Sequence, residues 1–394
     1  MKTRLLLFTL CIAFTSEANY VWTQKASLPA SPRIEMASFS IGNDGFIACG
    51  IDNITSNVYN DCWQWNSVQN LWTQKASLPA SARYGCSGFS VNNKGYVVCG
   101  WTSSHSQLKE LWQFDPIANA WTAKPNFPGA ARYTTTAFVI NNDAYVGLGY
   151  NPYQTDFYKY DAVAEIWSPI ANFPGAARQN ASGFSISGKG YVIGGHTDPN
   201  TDYTDCYEYD PNTNSWNIKT GFISNGRFGT TEFVFNNLGF YGMGGTYTTN
   251  YNDMYYYDPL VDNWQSVTSF PSIARKSCAS FSIGNSGYLY GGNMLNMGLT
   301  NDLWQLSLAT DIDDLNQRDL EIRYVNSLNE FVIQKGTLSE GILTVYDASA
   351  RKICDIDIRI NQKNISIPIQ LKPSLYFYQV KLKSKNFTGR FVRI

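Results

Sequence analysis

His105 and His196 are the only two histidines in the 394 residues of this chain, and they limit the acid–base chemistry available to it. They stand in separate segments, "WTSSHSQLKE" (101–110) and "HTDPNTDYTD" (196–205), and neither has a partner repeated at a fixed distance. Asp198, Asp202 and Asp205 near His196 offer oxygen ligands for a hard cation, but their mixture with Thr, Asn and Pro reads as a solvated loop. No Ser-His-Asp spacing, phosphate-cradling glycine run or paired-cysteine zinc pattern occurs. The expectation is therefore no catalytic residue, no metal and no cofactor. The same kind of segment carries aromatic residues instead: Trp101, Tyr150, Tyr153, Tyr247 and Tyr251. Flat apolar faces beside amides and hydroxyls suit sugars or extended peptides. With His105 and His196 they form the candidate ligand-binding set.

The elements that position these segments recur. "WTQKASLPAS" occupies residues 22–31 and again 72–81. Trp22, Trp72, Trp121, Trp167, Trp216 and Trp264 follow one another at 46 to 50 residues. Eleven residues after each comes an arginine: Arg33, Arg83, Arg132, Arg178, Arg227 or Arg275. Six residues further on is Phe39, Phe89, Phe138, Phe184, Phe233 or Phe281, and seventeen after the arginine is Gly50, Gly100, Gly149, Gly195, Gly244 or Gly292. Within each unit the apolar period is two, as in "SGFSI" and "YVIGG", so the pieces are strands. Turns such as "NNKG" and "DPNTNS" join them. Four short antiparallel strands per unit describe a propeller blade. An arginine that recurs once per blade is read as fixing its own loop rather than binding an anion. The persistent glycine marks positive φ or a close backbone approach.

Residues 191–216, with "YVIGG" and then "YEYDPNTNSW", resemble the kelch repeat, whose units carry Gly-Gly, then Tyr, then Trp. The resemblance runs over residues 20–308. The pair is Cys-Gly in the first two units, Leu-Gly in the third and Met-Gly in the fifth. The array opens on a fourth strand at Trp22 and closes on a third, "NDLWQLSL" at 301–308. An open sheet edge invites aggregation, so the N-terminal strand is expected to pair there. The expected fold is all-β: a six-bladed kelch-type β-propeller closed by the N-terminal strand, followed by a small β-sandwich.

Residues 1–18 read as a signal peptide, with Lys2 and Arg4 before the apolar run Leu5 to Phe14 and a small-residue site ending at Ala18. No later run is long and apolar enough to be a transmembrane segment. Seven cysteines beyond Cys11 lie singly and read as small buried side chains. After an acidic linker at 309–315, residues 316–394 alternate again in short strands. From Arg351 to Ile394 there are ten Lys or Arg against two Asp. "LTVYDASARKI" and "LKPSLYFYQVKLKSKNFTGRFVRI" resemble the C-terminal sorting domain of the type IX secretion system. That likeness implies an export address and secretion machinery as a partner. Ala350 and Ser374 stand where that family has glycines.

A net charge of -1 and 15% charged residues give no electrostatic reason for a nucleic-acid partner. The expectation is a monomeric secreted or cell-surface protein, exported through the periplasm, that binds an extracellular glycan or protein. Kelch rings also include a metal-independent bacterial sialic-acid epimerase, so the resemblance implies a sugar epimerase or mutarotase as the enzymatic alternative. A structural surface protein is the third.

Overall fold

Period-two segments of about five residues are too short to bury a core alone, so each pairs with the next through a tight turn. In a computed structural model the hairpins of residues 20–308 gather into six four-stranded antiparallel sheets. The structure describes residues 20–199, 201–309, 321–325, 330–335, 341–347, 351–358, 364–366, 371–372, 374–382 and 386–393. The expected signal peptide and nearly all of the expected linker lie outside those residues. The chain divides into two units, Met1–Leu308 and Ala309–Ile394. No helix among the described residues is long and apolar enough to cross a membrane.

In the first unit the innermost strands are Ala37–Ile41, Ser87–Val91, Thr136–Ile140, Ser182–Ile186, Thr231–Phe235 and Ala279–Ile283. Each neighbours the next, and the sixth neighbours the first, so they line a common axis. The sixth sheet takes its outer strand from the other end of the unit. Tyr20–Lys25 pairs antiparallel with Leu303–Leu308, Tyr20 opposite Leu308 and Lys25 opposite Leu303.

The repeated residues are the ones that hold sheet to sheet. All six repeat tryptophans donate their indole N–H to a backbone carbonyl of the preceding sheet's loop, at 2.7–3.0 Å. Phe39, Phe138, Phe184, Phe233 and Phe281 lie across Gly95, Gly190, Gly239, Gly287 and Gly45 of the following sheet, where a methyl group would strike the ring. The persistent glycine has φ from 72° to 112°. In five sheets its N–H donates to the next sheet's arginine carbonyl, at 2.9–3.2 Å. Gly195 illustrates both constraints: φ is 84°, and an added Cβ would sit 2.7 Å from the Gln179 carbonyl oxygen. Gly195→Ala is therefore expected to lower stability by about 2–3 kcal/mol. Urea denaturation monitored by tryptophan emission would read this as an earlier midpoint, and an unmoved midpoint would count against the close approach.

The cysteines described are free thiols, with Cys49, Cys62, Cys86, Cys99 and Cys206 buried and Cys278 and Cys354 partly so. Among the described residues of the second unit, seven strands form two antiparallel sheets. One orders Glu321–Val325, Glu330–Lys335 and Asn364–Ser366; the other orders Lys352–Ile358, Gly341–Tyr346, Ser374–Leu382 and Asn386–Arg393.

Candidate functional site

Each sheet sends two loops to the same end of the axis, one after the arginine and one after the persistent glycine. The arginine lies beneath them, 0–1% exposed in every sheet. Its guanidinium meets an acidic residue that stands just before the third strand: Asp61, Glu110, Asp156, Asp205, Asp253 or Asp302. Arg132 Nη2 reaches Asp156 Oδ2 at 2.9 Å, and Arg178 Nη2 reaches Asp205 Oδ2 at 2.8 Å. Nε donates to the carbonyl two residues back, at 2.9–3.2 Å. Nη1 donates to the carbonyl before the glycine, at 3.0–3.4 Å. These arginines are fully engaged in fixing loops. Their acidic partners were not expected.

With the arginine anchored, the residue after it bridges the residue after the glycine. The six pairs are Ile34 with Ile51, Tyr84 with Trp101, Tyr133 with Tyr150, Gln179 with His196, Phe228 with Gly245 and Lys276 with Asn293. The next residue inward takes positive φ in every sheet, at Glu35, Gly85, Thr134, Asn180, Gly229 and Ser277. Backbone bonds run from one to the next, such as Gly85 N–H to Glu35 O at 2.9 Å and Ser277 N–H to Gly229 O at 2.7 Å. This rim opens into an axial cavity of about 370 Å³. Serine and threonine side chains of the inner strands line it, with Glu232 in its wall.

One side of the rim is aromatic. Trp101 lies parallel to Tyr84 at 6.3 Å and edge-on to Tyr133 at 4.3 Å. Tyr133 meets Tyr150 at 5.7 Å, and Tyr150 meets Tyr153 at 4.8 Å. His105, exposed, stands edge-on to Trp101 at 5.8 Å. The adjoining stretch is polar. Tyr153 Oη donates to Asp198 Oδ2 at 2.7 Å, and Tyr247 Oη donates to the other carboxylate oxygen. Those two phenols hold the Asp198 carboxyl below its usual range. Lys276 Nζ donates to Thr246 O at 2.6 Å and lies 4.5 Å above the Phe228 ring; burial pulls its pKa down.

His196 is 3% exposed and packs at 4.1 Å against Phe228. Gln179 Oε1 accepts from Thr134 at 3.1 Å, so its amide nitrogen faces His196 Nε2 at 3.0 Å. Burial depresses the imidazole to about 4, so it is neutral at physiological pH. Two acids behave in the opposite way. Burial raises both Glu35 and Glu232 to about 7; Lys276 opposes the shift at Glu35, and a hydrogen bond from Ser182 opposes it at Glu232.

Of the seven residues expected to bind ligand, Trp101, His105, Tyr150 and Tyr153 fall together on the aromatic side. His196 and Tyr247 fall on the polar side. Tyr251 goes elsewhere: its ring covers the Arg227 guanidinium at 4.1 Å, as Tyr203 covers Arg178 at 3.8 Å. Of the three aspartates considered for a cation, Asp205 goes to Arg178 and Asp198 to its two tyrosines. Among the described residues no group of three His, Cys, Asp or Glu could hold a metal ion.

Sequence reasoning missed Glu35, Tyr84, Tyr133, Gln179, Phe228, Lys276 and Glu232. Their signal is positional variation. The two residues after each arginine change from unit to unit, whereas the arginine before them and the phenylalanine after them do not.

Known proteins match this architecture. The Kelch motif matches residues 82–128, and the KLHDC2/KLHL20/DRC7 Kelch-repeats domain matches residues 125–292. Residues 82–292 thus consist of kelch repeats. The solved structure of YjhT is similar over 98% of its own chain and 73% of this one, with a TM-score of 0.63 and 16% identity. At that identity the likeness concerns the fold, which is propeller-like. No curated protein matches the sequence.

Proposed function

We propose that this chain is an exported, six-bladed kelch propeller that binds an extracellular glycan at the axial rim, without catalysing a reaction on it. The kelch fold is a scaffold for binding proteins or glycans. The observation favouring a glycan is the row of half-buried rings, Tyr84, Trp101, Tyr133, Tyr150 and Tyr153, beside a cavity walled with hydroxyls. Sugar rings offer flat C–H faces to aromatic side chains and hydroxyls to the wall beyond. The apolar run Leu5–Phe14 supports export, and the basic, alternating C-terminal residues support delivery by a type IX sorting domain. The ring closed by Tyr20–Lys25 supplies the rigid scaffold for these loops.

A glycan array and a peptide array probed with the full exported chain would choose the ligand class. Trp101→Ala and Tyr133→Ala are each expected to weaken binding to the selected glycan about tenfold, or about 1.4 kcal/mol, with the unfolding midpoint little changed. Unaltered affinity in both variants would remove this reading, as would binding to peptides alone.

One feature favours a sugar mutarotase or epimerase as a second reading. Glu35 and Glu232 both border the cavity and are held near neutrality, the range in which a carboxyl can both give and take a proton. Faster anomer exchange of free sialic acid in NMR spectra on adding the protein would replace binding with catalysis.

A further inference from the structure

Glu35 occupies a place that glutamate does not suit. The equivalent residues are Gly85, Thr134, Asn180, Gly229 and Ser277, all with φ between 52° and 59°, and Glu35 itself is at 54°. Glycine and short polar side chains enter this left-handed region most easily. The Glu35 backbone takes part in the rim, but among the described residues no group hydrogen-bonds or ion-pairs with its carboxylate; Lys276 acts on it only at longer range. Backbone strain and an unpaired, half-buried carboxylate at a residue the scaffold does not require point to a ligand.

Its surroundings specify the ligand's charge. The Tyr84 and Tyr133 phenols both feel the Glu35 carboxylate, and Trp101 packs against both rings. Gly85, the residue after Tyr84, donates its N–H to Glu35 O at 2.9 Å, so these rings share Glu35's stretch of the rim, and an aromatic face there attracts a cation. Glu232 adds a second acid in the cavity that Glu35 borders. The nearby ammonium of Lys276 is occupied by the Thr246 carbonyl and the Phe228 ring. The hydroxyl-lined wall suits a polyhydroxylated ring rather than the methylene stem of a lysine.

We infer that Glu35, flanked by Tyr84 and Tyr133, is the docking point for the protonated primary amine of an amino sugar. This rests on the glycan reading above and specifies its substrate class. An ammonium binds the ionised carboxylate and lowers its pKa, so binding near pH 7 releases part of a proton. Affinity therefore rises from pH 5.5 to pH 7 as Glu35 ionises. Lys276, Tyr84 and Tyr133 are the titratable groups facing it; Lys276 stays charged and both phenols stay neutral over that interval.

The experiment is calorimetric titration of the full chain with a glucosamine hexamer and with its fully N-acetylated counterpart, in two buffers of different ionisation enthalpy. The free-amine hexamer is expected to bind at least about tenfold tighter at pH 7, with proton release, and to lose that advantage at pH 5.5. Glu35→Gln should abolish both the preference and the proton release. Glu35→Gly matches Gly85 and Gly229, so it should do the same with an unfolding midpoint at or above that of the parent. Equal affinity for both hexamers, with Trp101→Ala weakening each, would overturn the amine site and leave the glycan reading standing. If neither hexamer nor any arrayed glycan bound, both would fall. Glu35-dependent binding of hexalysine without binding of the glucosamine hexamer would transfer the site to peptides and overturn the amino-sugar assignment.

Discussion

Deleting Tyr20–Lys25 is expected to open the sixth sheet and make the first unit aggregate. Six residue pairs with Leu303–Leu308 are lost. Tyr20 leaves Phe240 and Phe235, whose ring centres lie 5.1 and 6.0 Å away, and Trp22 leaves Phe270 at 5.1 Å. Two aromatic side chains returned to water remove about 3–6 kcal/mol, a large share of the stability of an ordinary domain. The bared strand then offers unpaired N–H and C=O groups to a second molecule. Thermal unfolding should move down by about 10 °C, and light scattering should rise before the transition. A synthetic peptide of residues 20–31 added in trans should reverse part of both effects. An unchanged melting curve after the deletion would mean that this strand does not hold the sheet.

The second large effect is at the anchored arginines. Arg132→Met is expected to cost about 3 kcal/mol, the low end for breaking a buried pair, because Asp156 keeps 24% of its side chain exposed and is partly rehydrated. The Ala130 and Leu148 carbonyls lose their donors at the same time. Arg132→Lys should recover little, since one ammonium cannot reach the carboxylate and both carbonyls with the geometry of the planar fork. Equilibrium urea unfolding measures both variants. If lysine restored parental stability, point charge rather than geometry would be the essential property.

The tryptophans, arginines, phenylalanines and glycines were legible in the sequence because each makes the same contact in nearly every repeat, and so recurs at one spacing. The acidic partners recur as faithfully in space but not in number. Asp156 lies 24 residues after its arginine and Asp61 lies 28, because the intervening loops differ in length. Counted from the third strand instead, they always stand one residue before it. The side chains proposed to bind were half legible. Trp101 and Tyr150 lie in long variable loops, where function is usually sought. Tyr84, Tyr133 and Glu35 lie in a short constant loop, and only the anchored arginine reveals that the residues just after it face the axis. Tyr251 shows the converse. A tyrosine in a variable loop has the composition of a ligand contact, yet it covers a guanidinium, and composition alone does not separate the two.

The pairing of Tyr20 with Leu308 also bears on gene architecture. Head and tail of the array abut, so the position at which translation begins is only a choice of phase on a circle. Joining residues 20 and 308 through a short linker and starting the reading frame at another hairpin, such as the one around Asn92 and Asn93, would encode the same set of neighbours in a new order. Duplication or loss of a whole unit, by contrast, would change the circumference and every seam at once.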